Sequence, residues 1–357
     1  MLKRRVSQCE GTDDTEQPSP QKLCLRAAHP QNKSVYDILR QNSRERLYVR
    51  PILWTVRQRK LLLFEFIPGK GQLKEEDPPS KSVLRSLRDK SPFGHPTHAI
   101  FILPIPAFGN ANKAHLSMLL KAYNLNKLVA GHLPFFFASQ NATRVWVDGL
   151  FSYTDSINLP SLAHIRFETI KSLRKKTVYR GRSWKSNTPV RNRYSKQLRS
   201  LEPKSPLKDP YIVSILITLA QAQRRVLAGQ ESYLDKVTAD APMREQMEAE
   251  GLIDKPCIPK RTLVGKQATQ GTPQAFNTIV LATDEKARYD LHVYTATIPV
   301  EFLERLDVPS RQSPCVRVPV KYFRVNIKGA RKGLQALHQL LCASSCVLCT
   351  EEQAGDA

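Results

Sequence analysis

Asp148, Asp284, Glu285 and Lys286 are the residues whose types and order could support catalysis. Two or three carboxylates and a lysine on adjacent strands suffice to hold Mg²⁺ and orient a water for phosphodiester hydrolysis. Asp148 ends a predicted strand, TRVWV, and Asp284, Glu285 and Lys286 follow another, FNTIVLAT. The run DEKAR also has the composition of an ordinary charged hairpin turn. A magnesium-dependent nuclease built on these strand-end carboxylates is therefore the alternative expectation. A non-enzymatic binding or interaction protein is the main one.

The second chemistry is electrostatic. Between Arg166 and Lys208 stand fourteen lysines and arginines and two acids, Glu168 and Glu202, a local balance of +12. Arg174, Lys175, Lys176, Arg180, Arg182, Arg191 and Arg193 offer phosphate contacts. The interleaved Tyr179, Trp184 and Tyr194 could stack on unpaired bases, the combination used by single-strand and RNA binders. The expected partner is nucleic acid or an acidic protein met through residues 171–208. A polar linker would need no ligand, and Pro189, Pro203 and Pro206 suit one. The run RKK would also serve as a nuclear-import address.

Metal and phosphate motifs are weaker. Cys342, Cys346 and Cys349 spell CASSCVLC, the CxxxCxxC spacing that resembles the iron–sulfur motif of radical S-adenosylmethionine enzymes, with His338 one turn earlier. That family places the motif ahead of a barrel, whereas here it closes the chain. On a helix these four positions form a stripe about 16 Å long, too long to surround one ion. The cysteines are expected to pack as small apolar residues beside Leu334, Leu337 and Leu341, without a metal. His95 and His98 in HPTH lack a third ligand. In LVGKQAT, Lys260 and Gln267 stand where a phosphate loop needs Gly and Ser or Thr, and in PGKGQLK, Lys74 stands where Gly69 and Gly71 call for a third glycine. HExxH, GxSxG and kinase strings are absent. No cofactor is expected.

The 357 residues carry 55 lysines and arginines against 32 acids, a net charge of +23 and a pI near 9.9. A polyanionic partner follows naturally from that imbalance. Hydrophobic residues make up 41% of the chain, ordinary for a globular protein. The amino terminus is basic but lacks an apolar signal core, and its acids argue against a mitochondrial presequence. The longest apolar run, YIVSILITLA, is half the roughly 20 residues of a membrane span. An intracellular protein, nuclear or cytoplasmic, without a membrane segment and with reduced thiols is expected.

The elements that must position these residues form an α+β pattern, a mixed sheet with packed helices, in two lobes or one interrupted domain. Residues 1–33 are expected to be a disordered tail, 34–165 an α/β lobe, 166–208 the basic linker and 209–341 a second lobe with an irregular insertion at 230–273; 342–357 form a C-terminal tail. In the first lobe Tyr48–Trp54 and Leu61–Ile67 read as strands across a charged turn, RQRK. HAIFIL, LPFFF and TRVWV follow as strands, with AHLSMLLKAYNL as a helix. In the second, KDPYIVSILITLAQAQRRVLAGQ is a helix with Asp209 as N-cap, Pro210 at N1 and Gly229 past its end. Being apolar nearly all round, it should lie in the core. FNTIVLAT and YDLHVYTATI read as a strand pair, PVEFLERLD as a helix, and CVRVPVKYFRV, with Pro319, as an edge strand. ARKGLQALHQLLCASSC reads as a closing helix.

The strings DPYIVSILITLAQAQRR and VYTATIPVEFLERLDVPSRQSPC resemble matching blocks in a large set of uncharacterised proteins of filamentous fungi. The resemblance spans roughly residues 205–341. It implies a shared α/β core and brings no activity, cofactor or substrate.

Overall fold

The computed structural model describes residues 33–44, 47–69, 123–128, 131–153, 159–179, 188–229, 275–285 and 290–326, with Ala287 and scattered positions within 116–121 and 333–341. The fold is α+β. Its centre is a seven-stranded mixed sheet ordered β1, β9, β8, β7, β6, β5, β2. The strands are β1 (Phe64–Pro68), β2 (Leu125–Leu128), β5 (Gly149–Tyr153), β6 (Pro160–Arg166), β7 (Ala275–Thr283), β8 (Asp290–Pro299) and β9 (Val318–Asn326). β3 (His132–Phe137) and β4 (Gln140–Trp146) form a separate hairpin. The pairs β1–β9 and β6–β7 are parallel, and the other neighbours run antiparallel.

Alternate residues of one strand feed two cores. Val280 and Ala282 of β7 enter the larger cluster, while Ile279 and Leu281 enter the other. A strand covered on both faces must be apolar without alternation, which is why FNTIVLAT reads as a continuous run. The larger core is filled by helix α5 (Pro210–Leu227), buried from Pro210 through Gln223. Asp209 caps it by accepting from the Tyr211 N–H at 2.9 Å, and Gly229 takes φ +63° beyond its end. The β3–β4 hairpin is clipped to this helix by Gln221, whose amide donates to the Phe136 carbonyl and accepts from its N–H. The second core gathers Leu116, Leu119, Leu120, Leu337, Leu340 and Leu341 against the opposite face.

The remaining helices are α1 (Val35–Gln41), α2 (Val56–Leu61), α3 (Phe167–Tyr179), α4 (Thr188–Leu201) and α6 (Val300–Asp307). Several sequence expectations need correction. Tyr48–Trp54 is not a strand: Pro51 has no N–H for a ladder and opens a 3₁₀ turn, Pro51–Leu53. RQRK is not a turn but lies in α2, started by a reciprocal Thr55–Gln58 capping box. The strand then begins only at Phe64, after Leu63 adopts φ 60°. β9 is not an edge strand, since it lies between β1 and β8. Pro319 is tolerated because β8 pairs only from Lys321 onward, while the Val318 N–H donates toward β1. β5 and β6 were not anticipated at all.

The largest correction concerns residues 166–208. They are not a linker: α3 and α4 occupy most of the segment, and strands from both sides of it share one sheet, β6 with β7 and β1 with β9. HAIFIL and the 230–273 insertion lie outside the described residues.

Candidate functional site

α3 follows β6 directly, and its first turn is held from outside. Asp148, in the β4–β5 connection, accepts from the Arg166 N–H at 2.8 Å and faces the Arg166 guanidinium at 3.4 Å. The helix docks through Phe167, Ile170 and Arg174, spaced i, i+3, i+7 along one stripe. Arg174 is only 2% exposed. Its two terminal nitrogens grip the Asp209 carboxylate at 2.7 and 2.6 Å, and its Nε donates to the Ile52 carbonyl at 3.2 Å. Arg174 therefore cannot contact a polyanion, correcting its assignment as a phosphate ligand. It is the cation that completes the N-terminus of α5.

α4 docks through Tyr194 and Leu201, two turns apart. The Tyr194 ring meets Tyr179 of α3 edge-to-face, 5.5 Å between centroids, and joins the helices. Tyr194 is buried and Tyr179 half-buried, so neither ring is a free platform for a base. What the pair turns outward is cationic. Lys171, Lys175 and Lys176 on α3 and Arg191, Arg193, Lys196 and Arg199 on α4 line its outer side, and among the described residues none of the seven forms an ion pair. α4 contains no acid. Arg180, Arg182 and Trp184 lie outside the described residues.

The catalytic candidates meet at the carboxyl ends of the parallel strands β6 and β7. Arg166 bridges Asp148 to Glu285, 3.6 Å from its other terminal nitrogen. The Glu285 N–H donates to Glu168 at 3.4 Å, and His164 lies 3.1 Å from the Thr283 hydroxyl. Burial pushes the Asp148 carboxyl up, but the charges of His164 and Arg166 and the Arg166 N–H outweigh it and hold the group below its usual range. Glu168 moves the other way, raised by burial and by the negative charges of Asp284 and Glu285. Its second oxygen is buried without a partner, as is His292 Nδ1 on β8. Asp148 and Glu285 are thus brought together, but around a guanidinium. Among the described residues no group of three or more His, Cys, Asp or Glu is placed to hold a metal ion. Lys286 lies outside the described residues. Arg166, Glu168, His164 and His292 were missed as neighbours because β6 itself was missed; its carboxyl end facing that of β7 is the signal that would have found them.

Other motif residues resolve simply. Gly69 follows β1, where a Cβ would meet the Phe323 ring at 2.1 Å, so close packing explains that glycine without a phosphate. Gly71, Lys74, His95, His98, Lys260, Gln267, His338, Cys342, Cys346 and Cys349 lie outside the described residues. Among the described residues no helix is long and apolar enough to cross a membrane. Compared with protein-family models, curated proteins and solved structures, the chain matches none of them.

Proposed function

We propose that this protein is a non-enzymatic binding protein that contacts nucleic acid through the outer faces of α3 and α4. The observation that carries the reading is the sidedness of this helix pair. Its inner stripe is fixed by Phe167, Ile170, Arg174, Tyr194 and Leu201, while seven cations are held on the outside. A cation held by a docked helix loses less freedom on meeting a phosphate than one on a slack connector. Each phosphate neutralised releases condensed counterion. With Tyr179 and Tyr194 engaged with each other, the contact is to phosphate and sugar, and sequence preference is weak. The ion pairing of Asp148 with Arg166 weighs against the magnesium-dependent nuclease.

The test is anisotropy of a labelled single-stranded oligonucleotide between about 50 and 200 mM salt. Wild-type affinity falls steeply with salt. Replacing Arg191, Arg193, Lys196 and Arg199 by Gln flattens the logarithmic salt slope by up to about 3, at roughly 0.7 for each phosphate that is no longer neutralised. An unchanged slope, or no binding at the lowest salt, would overturn the proposal. Binding to polyglutamate but not to the oligonucleotide would instead assign the surface to an acidic protein.

A further inference from the structure

A cavity of about 330 Å³ opens between the β3–β4 hairpin and the N-terminal helices. α1 contributes Ile38 and Leu39, α2 and its C-cap contribute Leu61 and Leu62, and the hairpin contributes Phe135 and Phe137. Trp54 stands in the wall with its indole N–H satisfied by the Val49 carbonyl at 3.1 Å. Ile38, Leu39, Leu61, Leu62 and Phe137 are only half-buried, so apolar surface faces this space without being covered. Gln58 is the buried polar side chain of the lining, and its oxygen is engaged in the Thr55 capping box. Arg50 is the cation of the lining, exposed, and among the described residues it forms no ion pair.

The geometry points to a binding site for an amphipathic monocarboxylate, an aliphatic chain of about ten carbons lying among the apolar side chains with its carboxylate at Arg50. Size sets the chain. An apolar cavity of roughly 150 Å³ accepts one six-carbon benzene, and a space about twice as large accepts about ten to twelve carbons. It falls within the roughly 300–1,000 Å³ typical of small-molecule sites, which are mostly apolar with few polar groups. Charge sets the head group: Arg50, an exposed residue of the lining, carries a guanidinium that can pair with a carboxylate through two parallel hydrogen bonds, whereas an ammonium head is repelled. Of the polar groups in the lining, Gln58 and Trp54 are already engaged, which leaves the hydroxyls of Thr143 and of the exposed Tyr48.

Isothermal titration of the full chain with straight-chain carboxylates, below their micelle concentrations, tests this. Affinity is expected to rise about fourfold per methylene from hexanoate to decanoate, the effect of burying each one, and to stop rising beyond about twelve carbons. Arg50→Gln should weaken decanoate about fivefold and leave decan-1-ol unchanged, since it removes one largely exposed ion pair. Ile38→Trp, which fills the cavity, should abolish binding of both while a melting curve confirms the fold. Decanoate that binds no better than hexanoate, as adsorption to a basic surface would give, overturns the proposal. So does decylamine binding as tightly as decanoate, or an Arg50→Gln protein that binds decanoate like wild type. The head-group comparison and Arg50→Gln stand even if Ile38→Trp fails to fold.

Discussion

α4 and α5 are consecutive helices, and they are held by opposite means. α5 is buried from Pro210 through Gln223, so almost any rotation about its axis meets core. α4 buries only Tyr194 and Leu201, half-buries Val190 and Leu198, and is otherwise mostly polar or basic. An isolated helix of that length is marginal in water, so two anchors and the pairing with α3 must hold it. The difference teaches that basic density is a poor sign of disorder. A strip of a few anchoring side chains at helical spacing is enough to order a charged segment, and the charges then become a surface.

Arg174 is the sharpest way to break that contrast, because it ties the basic helices to the apolar one. Arg174→Gln leaves Asp209 buried without its cation and is expected to cost about 3 to 5 kcal/mol in urea unfolding. A loss below about 1 kcal/mol would mean that α3 is held by apolar contacts alone. Leu216→Ala in α5 comes next, at about 2 to 5 kcal/mol through the cavity it leaves, with the magnitude reporting how far the core can collapse. A value near zero would put α5 outside the cooperative core.

Acid sensitivity is a smaller effect. Burial beside Phe167 holds the His292 imidazole below its usual 6.5. The unfolded chain takes up a proton there before the folded one does, so stability is full above about 6.5 and falls as pH drops through the folded value. Asp148, lowered from 3.8, acts in the same direction in stronger acid. Urea midpoints at about pH 7.5 and 5.5 should therefore fall on acidification in wild type and fall less in His292→Phe. Equal slopes would remove His292 as the cause. The smallest effect sharpens the contrast from the other side: Arg191, Arg193, Lys196 and Arg199 changed together to Gln should move stability by no more than about 0.5 kcal/mol each. A larger loss would make those cations structural.

Legibility in the sequence followed burial. α5 was readable down to its caps because Asp209, Pro210 and Gly229 are local signals that the tertiary structure did not override. The β7–β8 pair and α6 were readable for the same reason. α3 and α4 were not. Their periodicity lies in Phe167, Ile170 and Arg174 and in Tyr194 and Leu201, where an arginine serves as a core residue and long charged intervals hide the stripe. β6 was missed because PSLAHIR begins with proline and its apolar residues mean little until β7 lies beside them. Of the proposed surface, Lys175, Lys176, Arg191 and Arg193 were legible as exposed cations, while the burial of Arg174 depends on Asp209, a partner that no local pattern reveals.

The parallel pairing of β1 with β9 sets a condition on how the chain is made. Phe64 emerges from the ribosome 254 residues before its partner Val318 is translated. Until then both edges of β1 are unpaired and β6 has only β5 beside it, so sheet edges stand open to other chains. Completion of the central sheet therefore rests on pairings between distant parts of the chain, which form slowly relative to helices. A chain ending before Val318 would leave β1 without its partner, whatever the fate of the helices.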